Sequence, residues 1–176
     1  MANTKSLIAS TTVGVGGSAN IIFDNIPQTY NNLMIIVCGR TTDTSGSNMV
    51  SDALIRFNSS SSGYSAFFIR NNTGTLNNFT SASYSYGLGM TNAGRNVTAN
   101  TFSFSTMYIP NYNGNTNKSF FSSTALETDT ANYDSANYIV AGLWANTAAI
   151  TSIGISDGYA AFAQNSTISL YGIKNT

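Results

Sequence analysis

Short stretches in which large apolar residues alternate with small polar ones constrain this chain more than any other feature. Eleven such runs follow one another, bounded by glycine, asparagine or proline. A period of two places successive side chains on opposite faces of an extended chain, which is the pattern of a β-strand. The predicted strands cover residues 6–13, 19–26, 31–40, 51–58, 64–71, 83–90, 100–109, 119–127, 137–145, 150–156 and 167–173. The run at 83–90 is the least regular, and a loop is the alternative there.

The polar residues of the chain are mostly uncharged. Charged residues make up 8% of the 176, whereas Asn, Ser and Thr number 23, 24 and 22. These three types compete for backbone hydrogen bonds inside a helix; Asn and Ser favour turns, and Thr suits strands. Turn-like segments recur at intervals typical of sandwiches. The sequence therefore predicts an all-β fold: one antiparallel, jelly-roll-like β-sandwich domain over residues 1–176, with residues 1–10 as a candidate extended contact arm.

Two apolar stretches are predicted to build the core. The run Leu33–Cys38 lacks alternation, which predicts a strand covered on both faces, with its cysteine as a small buried apolar side chain. In TFSFSTMYIPNY, residues 101–112, Phe102, Phe104 and Tyr108 fall on one side of the strand. We expect this aromatic face to pack against a second sheet, because burial of large rings stabilises a sandwich. Trp144 ends another apolar strand and is also expected in the core.

Charge and motif content argue against several classes of function. Seven Lys and Arg balance seven Asp and Glu, so no long-range field would attract nucleic acid. The sequence contains no run of about 18 apolar residues, so no membrane-spanning helix is predicted. One cysteine and no histidine exclude an internal disulfide and a Cys/His metal site. The sequence contains no histidine, no S-x-x-K pair and no G-x-S-x-G elbow that would activate a serine. We therefore expect neither an enzyme nor a cofactor.

One stretch matches a nucleotide-binding pattern by its letters alone. GVGGSA, residues 14–19, fits G-x-G-x-x-A. That motif needs a helix to receive the pyrophosphate and an acidic residue about 20 positions on. Here a strand pattern follows instead, and Arg40 stands where the acid belongs. The glycines are therefore predicted to form a turn between the first two strands.

The few carboxylates leave two alternatives open. Glu127 and Asp129 would face the same way on a strand, as the acid and base of a glycoside hydrolase do. Together with Asp134 they would instead offer oxygen ligands to calcium, although the ordered loop pattern of a calcium site is absent. The simpler interpretation places them at the edge of a polar loop. Residues 127–138 also carry the only helix-like pattern, enough for a single turn.

Aromatic residues beside polar loops form a candidate carbohydrate site. Ring faces stack on sugars, while neighbouring Asn and Asp side chains bond sugar hydroxyls. Tyr64, Tyr84, Tyr86, Tyr112 and Tyr133 lie in or beside polar loops. All of these except Tyr112 are assigned as candidate contacts to a host glycan.

Three long stretches carry a family resemblance. They are LIASTTVGVGGSANIIFDNIPQTYNNLMI, FSTMYIPNYNGNTNKSFFSS and AGLWANTAAITSIGISDGYAAFAQNSTISLYGIKNT, of which the closing SLYGIKNT is the most specific. The chain resembles a family of small virion structural proteins of tailed bacteriophages, common among cyanophages and other environmental phages. The resemblance implies a β-sandwich, often jelly-roll-like, that serves as a building block of the capsid or the tail. It supplies no catalytic motif.

The resulting expectation is a non-enzymatic virion protein, assembled in the host cytoplasm, that decorates the capsid and cements neighbouring subunits of the major capsid protein. A trimer is expected, since virion proteins attach by symmetry. The N-terminal segment would contact neighbours by strand addition, and the loop after residue 109 would add a second contact. The candidate protein contacts are Lys5, Leu7, Ile8, Pro110, Asn111, Tyr112 and Asn113. The alternative is a tail-associated or fibre domain that binds a host surface glycan.

Overall fold

The computed structural model describes residues 4–43, 50–72, 75–94, 97–127 and 136–174. Over these ranges the chain forms strands and no helix, and thus no helix long and apolar enough to cross a bilayer. The strands are β1 (Thr4–Thr12), β2 (Asn20–Phe23), β3 (Asn32–Gly39), β4 (Val50–Phe57), β5 (Tyr64–Asn72), β6 (Thr75–Tyr84), β7 (Gly87–Ala93), β8 (Ser103–Pro110), β9 (Lys118–Leu126), β10 (Ala136–Trp144), β11 (Ile153–Asp157) and β12 (Thr167–Lys174).

The strands form two antiparallel sheets that pack face to face. The large sheet has eight strands in the order β1-β12-β3-β8-β9-β10-β5-β6, and the small sheet has four in the order β2-β11-β4-β7. Eight of the strands pair from the outside inwards along the chain: β1 with β12, β2 with β11, β3 with β8 and β4 with β7. A long antiparallel ribbon rolled upon itself gives this pairing, which is that of a jelly roll. The predicted all-β sandwich is confirmed.

Four strands outside the jelly roll widen the large sheet. β9 and β10 continue it beyond β8, and β5 and β6 follow. Beneath them Phe68 and Val140 pack with Leu88 of β7 in a second apolar cluster. Every residue of β7 is buried. The added strands therefore help to cover a strand that would otherwise lie exposed at the edge of the small sheet.

β6 is missing from the predicted strands. Its segment TLNNFTSASY is rich in Asn and Ser, which predicts a turn. Pairing with β5 along its length overrides that local preference. Phe79 of β6 also stacks on Phe68 of β5, with ring centroids 4.4 Å apart. The predicted strand at 83–90 lies across the end of β6 and the start of β7, and a bend at residues 85–86 separates them.

Serine side chains complete the hydrogen bonding of β7 at its edge away from β4. The Ser103 hydroxyl donates to the Thr91 carbonyl at 2.6 Å, and the Ser122 hydroxyl donates to the Gly89 carbonyl at 2.5 Å. The Thr91 amide donates to the Ser105 hydroxyl at 3.2 Å. A buried strand edge without such partners would cost several unmade hydrogen bonds. The small hydroxyl residues of β8 and β9 therefore have a structural role inside the sandwich.

The aromatic face predicted for β8 points away from the core. Met107 and Ile109 are fully buried on the inner side. Phe104 is 50% exposed and Tyr108 is half-buried on the outer side. The inner side of β8 also carries Ser105, because it lies against the edge of β7 and leaves no room for large rings there. The prediction that this aromatic face packs on the second sheet is wrong.

The strand over Leu33–Cys38 is covered on one face only. Leu33, Ile35 and Val37 are fully buried, whereas Met34 and Cys38 lie half-buried on the outer side of β3. The prediction of a strand buried on both faces is therefore wrong, as is that of a buried Cys38. The apolar residues of its outer side cover a sheet surface that faces outwards.

An aromatic cluster closes one end of the main core. Trp144 is 1% exposed, as predicted, and its ring stacks on that of Tyr64 with centroids 6.1 Å apart. Phe57 packs against both rings and, edge-on, against Phe120 at 6.0 Å. Buried ring pairs of this kind add about 0.5–1.5 kcal/mol each beyond their area.

The N-terminal segment belongs to the sandwich. Residues 4–12 form β1, which pairs with β12 from Thr4 and Lys174 to Thr12 and Thr167. Residues 4–10 are therefore not the extended arm that the sequence predicts, but part of the edge strand of the large sheet. A register shift between Leu7 and Ala9 turns Ile8 towards the core, where it is partly buried.

Candidate interaction face

The outer face of the large sheet extends across eight strands. Strand pairing aligns its side chains in rows that cross all eight strands. The first row, from β1 to β6, consists of Leu7, Tyr171, Met34, Tyr108, Phe121, Ala141, Phe67 and Thr80. None of these side chains is buried. We refer to this row and the next two as the sheet face.

Two further rows lie parallel to the first, each two residues further along the strands, except on β1, where the register shift between Leu7 and Ala9 adds one residue to the first step. One consists of Ser10, Ser169, Ile36, Thr106, Ser123, Ile139, Ile69 and Asn78. The other consists of Thr12, Thr167, Cys38, Phe104, Ala125, Asn137, Asn71 and Leu76. All three rows are free of charged residues.

Large apolar residues concentrate on four adjacent strands of the sheet face. They are Phe104 on β8, Phe121 on β9, Ile139 on β10, and Phe67 and Ile69 on β5, each 40–51% exposed. Single exposed apolar residues need no explanation, but a contiguous patch marks an interaction surface. Aromatic enrichment without charge is also typical of the centre of protein interfaces.

The dimensions of the sheet face match those of a specific interface. Eight strands spaced about 4.8 Å apart span roughly 38 Å, and three rows cover roughly 20 Å along the strands. The product is about 770 Å². A stable protein–protein interface of standard size buries roughly 800 Å² on each partner. Because the face carries hydroxyls and amides instead of ions, burying it requires no desolvation of charges.

Two of the predicted contact segments come together at the border of this face. Lys5 pairs with Ile173, Ile173 with Asn32, and Asn32 with Pro110. Lys5 and Pro110 therefore share one row, three strand spacings or about 14 Å apart. The Lys5 ammonium lies 4.2 Å from the centroid of the Tyr171 ring. Leu7, 57% exposed, begins the first row of the sheet face.

The loop after β8 is held by residues that point inwards. Tyr112 is fully buried, and its hydroxyl donates to the Pro27 carbonyl. Burial raises the pKa of Tyr112 above its usual value. Tyr112 is therefore wrong as a contact residue. Asn111 and Asn113 remain exposed, and the Asn113 amide donates to the carbonyls of Gln28 and Tyr30 at 3.1 and 3.2 Å.

Lys118 closes the same loop from its other end. The side chain is fully buried and donates to the carbonyls of Gly114 at 2.7 Å, Thr147 at 3.3 Å and Thr116. Burial lowers the pKa of Lys118, because the charged form loses water. Three carbonyl acceptors compensate for that loss and fix the loop against the turn after β10.

The tyrosines assigned to a glycan do not form an open platform. Tyr64 is 1% exposed, and its hydroxyl accepts a hydrogen bond from the Phe57 amide at 2.8 Å. Burial raises the pKa of Tyr64 to about 12. Tyr64 is therefore wrong as a surface contact. Tyr84 and Tyr86 are half-buried and stack on each other at 5.4 Å, and Tyr133 lies outside the described residues.

The acidic alternatives fall mainly on residues that the structure does not describe. Glu127 is exposed immediately after β9, whereas Asp129, Asp134 and the predicted helical turn lie outside the described residues. Within the described part of the chain, no three His, Cys, Asp or Glu side chains are grouped as a metal site requires.

Several residues of the sheet face were not predicted as contacts. Phe67, Phe121 and Ile139 lie in strands that carry large apolar residues at consecutive positions, as in AFFI, SFF and YIVA. Such runs signal a strand with apolar residues on both faces. They do not say that one of the two faces is open, because that depends on which strands end up beneath a second sheet.

The fold and the sheet face together define the class of protein, which is a widened jelly roll whose large sheet has an uncharged, partly apolar outer face. Comparisons of the chain with protein-family models and with curated proteins each found no match.

Proposed function

We propose that this protein is a non-enzymatic structural protein of a tailed-phage particle and acts as a capsid decoration protein. The sheet face carries the proposal, because a broad, uncharged and partly apolar surface is suited to lasting contact with other proteins. The resemblance of three sequence stretches to phage virion proteins supplies the context. A jelly-roll fold agrees with it, since this fold is common in virus capsids.

In this proposal the sheet face bridges neighbouring subunits of the major capsid protein. Each copy adds one interface of modest size, and many copies in symmetric positions stiffen the shell through multivalency. A homotrimer would place three such faces around a symmetry axis. Leu7 at the end of the sheet face, and Lys5 and Pro110 at its border, would contact the adjacent subunit.

The aromatic centre of the sheet face gives the decisive test. Phe121→Asp places a carboxylate in the middle of the first row, where burial on assembly would leave it unpaired. We expect incorporation into particles to fall about 100-fold, measured by quantitative mass spectrometry of purified virions from the phage that carries the variant. Unchanged folding is checked by circular dichroism of the purified chain.

The matched control is Ile22→Asp. Ile22 is 62% exposed on β2, on the opposite side of the sandwich, and we expect its substitution to leave incorporation unchanged.

Copy number in wild-type particles distinguishes the proposal from a tail fibre domain. A decoration protein should approach the abundance of the major capsid protein. Copy numbers in the range of tail proteins, or equal losses for both variants, would contradict the proposal.

A further inference from the structure

The outer face of the small sheet contains a notch over the middle of β11. By strand pairing, Ile22 of β2 lies beside Gly154, and Gly154 lies beside Arg56 of β4. Because Gly154 has no side chain, a gap of two strand spacings, roughly 10 Å, opens between its neighbours. The cavity has a volume of about 230 Å³. It is smaller than the roughly 300–1,000 Å³ of drug-sized sites, which restricts a ligand to about one sugar ring or less.

Arg56 forms one wall of this notch and is held in place from behind. Its Nε donates to the Ser85 carbonyl at 3.2 Å, and its guanidinium carbon lies 5.9 Å from the centroid of the Tyr86 ring. Tyr86 in turn stacks on Tyr84. The hydrogen bonds of the described residues leave both terminal nitrogens of Arg56 without a protein acceptor. An oriented guanidinium with free terminal nitrogens is suited to a carboxylate.

The remainder of the lining is neutral and rich in hydrogen-bonding groups. It consists of Asn20, Ser59, Ser152 and Ser156, with Ile22 as the apolar wall. Among the described residues that line the notch there is no carboxylate. Hydroxyl and amide side chains both donate and accept, as recognition of a polyhydroxylated ligand requires. The apolar wall offers a surface for the carbon skeleton of a ring.

We propose that this notch binds a small, hydroxyl-rich carboxylate of the uronic acid class. Arg56 would pair with the carboxylate, the serine hydroxyls and Asn20 would bond the ring hydroxyls, and Ile22 would contact the ring carbons. The site lies on the opposite side of the sandwich from the sheet face, so this inference does not depend on the proposed function.

The test is a titration of the isotope-labelled full chain with glucuronate, followed by amide chemical shifts. We expect saturable shifts at Ile22, Gly154 and Arg56. Glucose lacks the carboxylate, and acetate lacks the hydroxyls, so each should bind at least about tenfold more weakly, a difference of roughly 1.4 kcal/mol. Absence of shifts with glucuronate would overturn the inference, as would equal affinity for acetate or for glucose.

Two variants locate the binding. Gly154→Val fills the notch, and the fold tolerates it, because an added Cβ meets no atom within 4 Å and a β-branched residue suits a strand. We expect at least about tenfold weaker binding. The matched control is Gly14→Val, at an equally open glycine outside the notch, which should bind like the wild type. Arg56→Gln should remove the preference for glucuronate over glucose, whereas Lys174→Gln should not. Unchanged affinity in Gly154→Val would place any binding elsewhere and overturn the inference.

Discussion

The two outer faces of the sandwich differ in almost every property that matters for recognition. The sheet face extends across eight strands, exposes Phe67, Phe104 and Phe121, and carries no charge. The outer face of the small sheet exposes a short polar surface with one oriented cation, Arg56, beside a gap at Gly154. A broad apolar surface suits a protein partner, and a narrow notch with a cation suits a small anion. One rolled-up ribbon thus presents two different kinds of surface on opposite sides.

This difference arises from the four added strands. β9, β10, β5 and β6 extend the large sheet well beyond the jelly roll, and their outer sides carry five of the seven exposed large apolar residues of the sheet face. The small sheet has no such extension. Its strand β7 is instead covered by the widened large sheet, which leaves mainly β2, β11 and part of β4 to face outwards. The added strands therefore provide the broad sheet face. The small sheet keeps only a short outer surface, which contains the notch at Gly154.

The largest expected effect is a difference in the free energy of unfolding between variants on the two sides of β9. Phe120 is 3% exposed beneath the large sheet, and its neighbour Phe121 is 49% exposed on the sheet face. Phe120→Ala should reduce the free energy of unfolding by about 3–5 kcal/mol, because it leaves a cavity in the core. Phe121→Ala should cost about 1 kcal/mol or less in the isolated chain. Chemical denaturation of both variants measures the difference. Equal losses would show that the sheet face is already covered in the free protein.

Much of the fold could be predicted from alternation and turns alone. Eleven predicted runs correspond to eleven of the twelve strands in the described residues, because a period of two reports local geometry directly. β6 escaped prediction, since its Asn and Ser residues favour a turn and only pairing with β5 makes it a strand. The jelly-roll order was predicted only as a class, because strand order depends on contacts between residues far apart in the chain.

The candidate site could be predicted much less well, for a specific physical reason. Both sides of β8 carry large residues, and the sequence does not say which side faces β7. Ser103 and Ser105 decide it, because their hydroxyls bond the edge of β7, and this turns Phe104 and Tyr108 outwards. Tyr64 and Tyr112 failed as surface residues for a related reason. Each sits beside a polar loop in the sequence, yet each points into the core and anchors that loop.

A second prediction concerns a buried hydrogen bond that holds the end of β4 in the small sheet. The Tyr64 hydroxyl accepts a hydrogen bond from the amide of Phe57, the last residue of β4 and the neighbour of Arg56. Burial raises the pKa of Tyr64 to about 12. Because the folded pKa exceeds the unfolded value of about 10, its contribution to stability is complete below pH 10 and is lost as the pH rises towards 12. The free energy of unfolding should fall by about 2–3 kcal/mol over this window.

Tyr64→Phe isolates that contribution from the other tyrosines. The variant should lose roughly 1–3 kcal/mol at neutral pH, because the Phe57 amide is left without its acceptor. It should also show a distinctly smaller loss of stability between pH 10 and 12. Urea denaturation at several pH values measures both quantities. An alkaline slope identical to that of the wild type would show that the Tyr64 proton is not linked to folding.

The smallest expected effect lies on β4, on the same side of the strand as Arg56. The pKa of Asp52 is raised, chiefly by burial; the Asp157 carboxylate adds to the shift, and the Arg70 guanidinium opposes it. The pKa of Asp52 is therefore higher in the folded chain than in the unfolded chain. The free energy of unfolding is greatest at pH values below the unfolded pKa and falls as the pH rises through the folded pKa. Asp52→Asn removes that loss, so the variant should be more stable at pH 7 by about 0.5 kcal/mol. The advantage should shrink as the pH falls and the wild-type carboxyl becomes protonated. A difference that stays constant from pH 7 down to pH 3 in thermal denaturation would mean that Asp52 adds no unfavourable charge to this face.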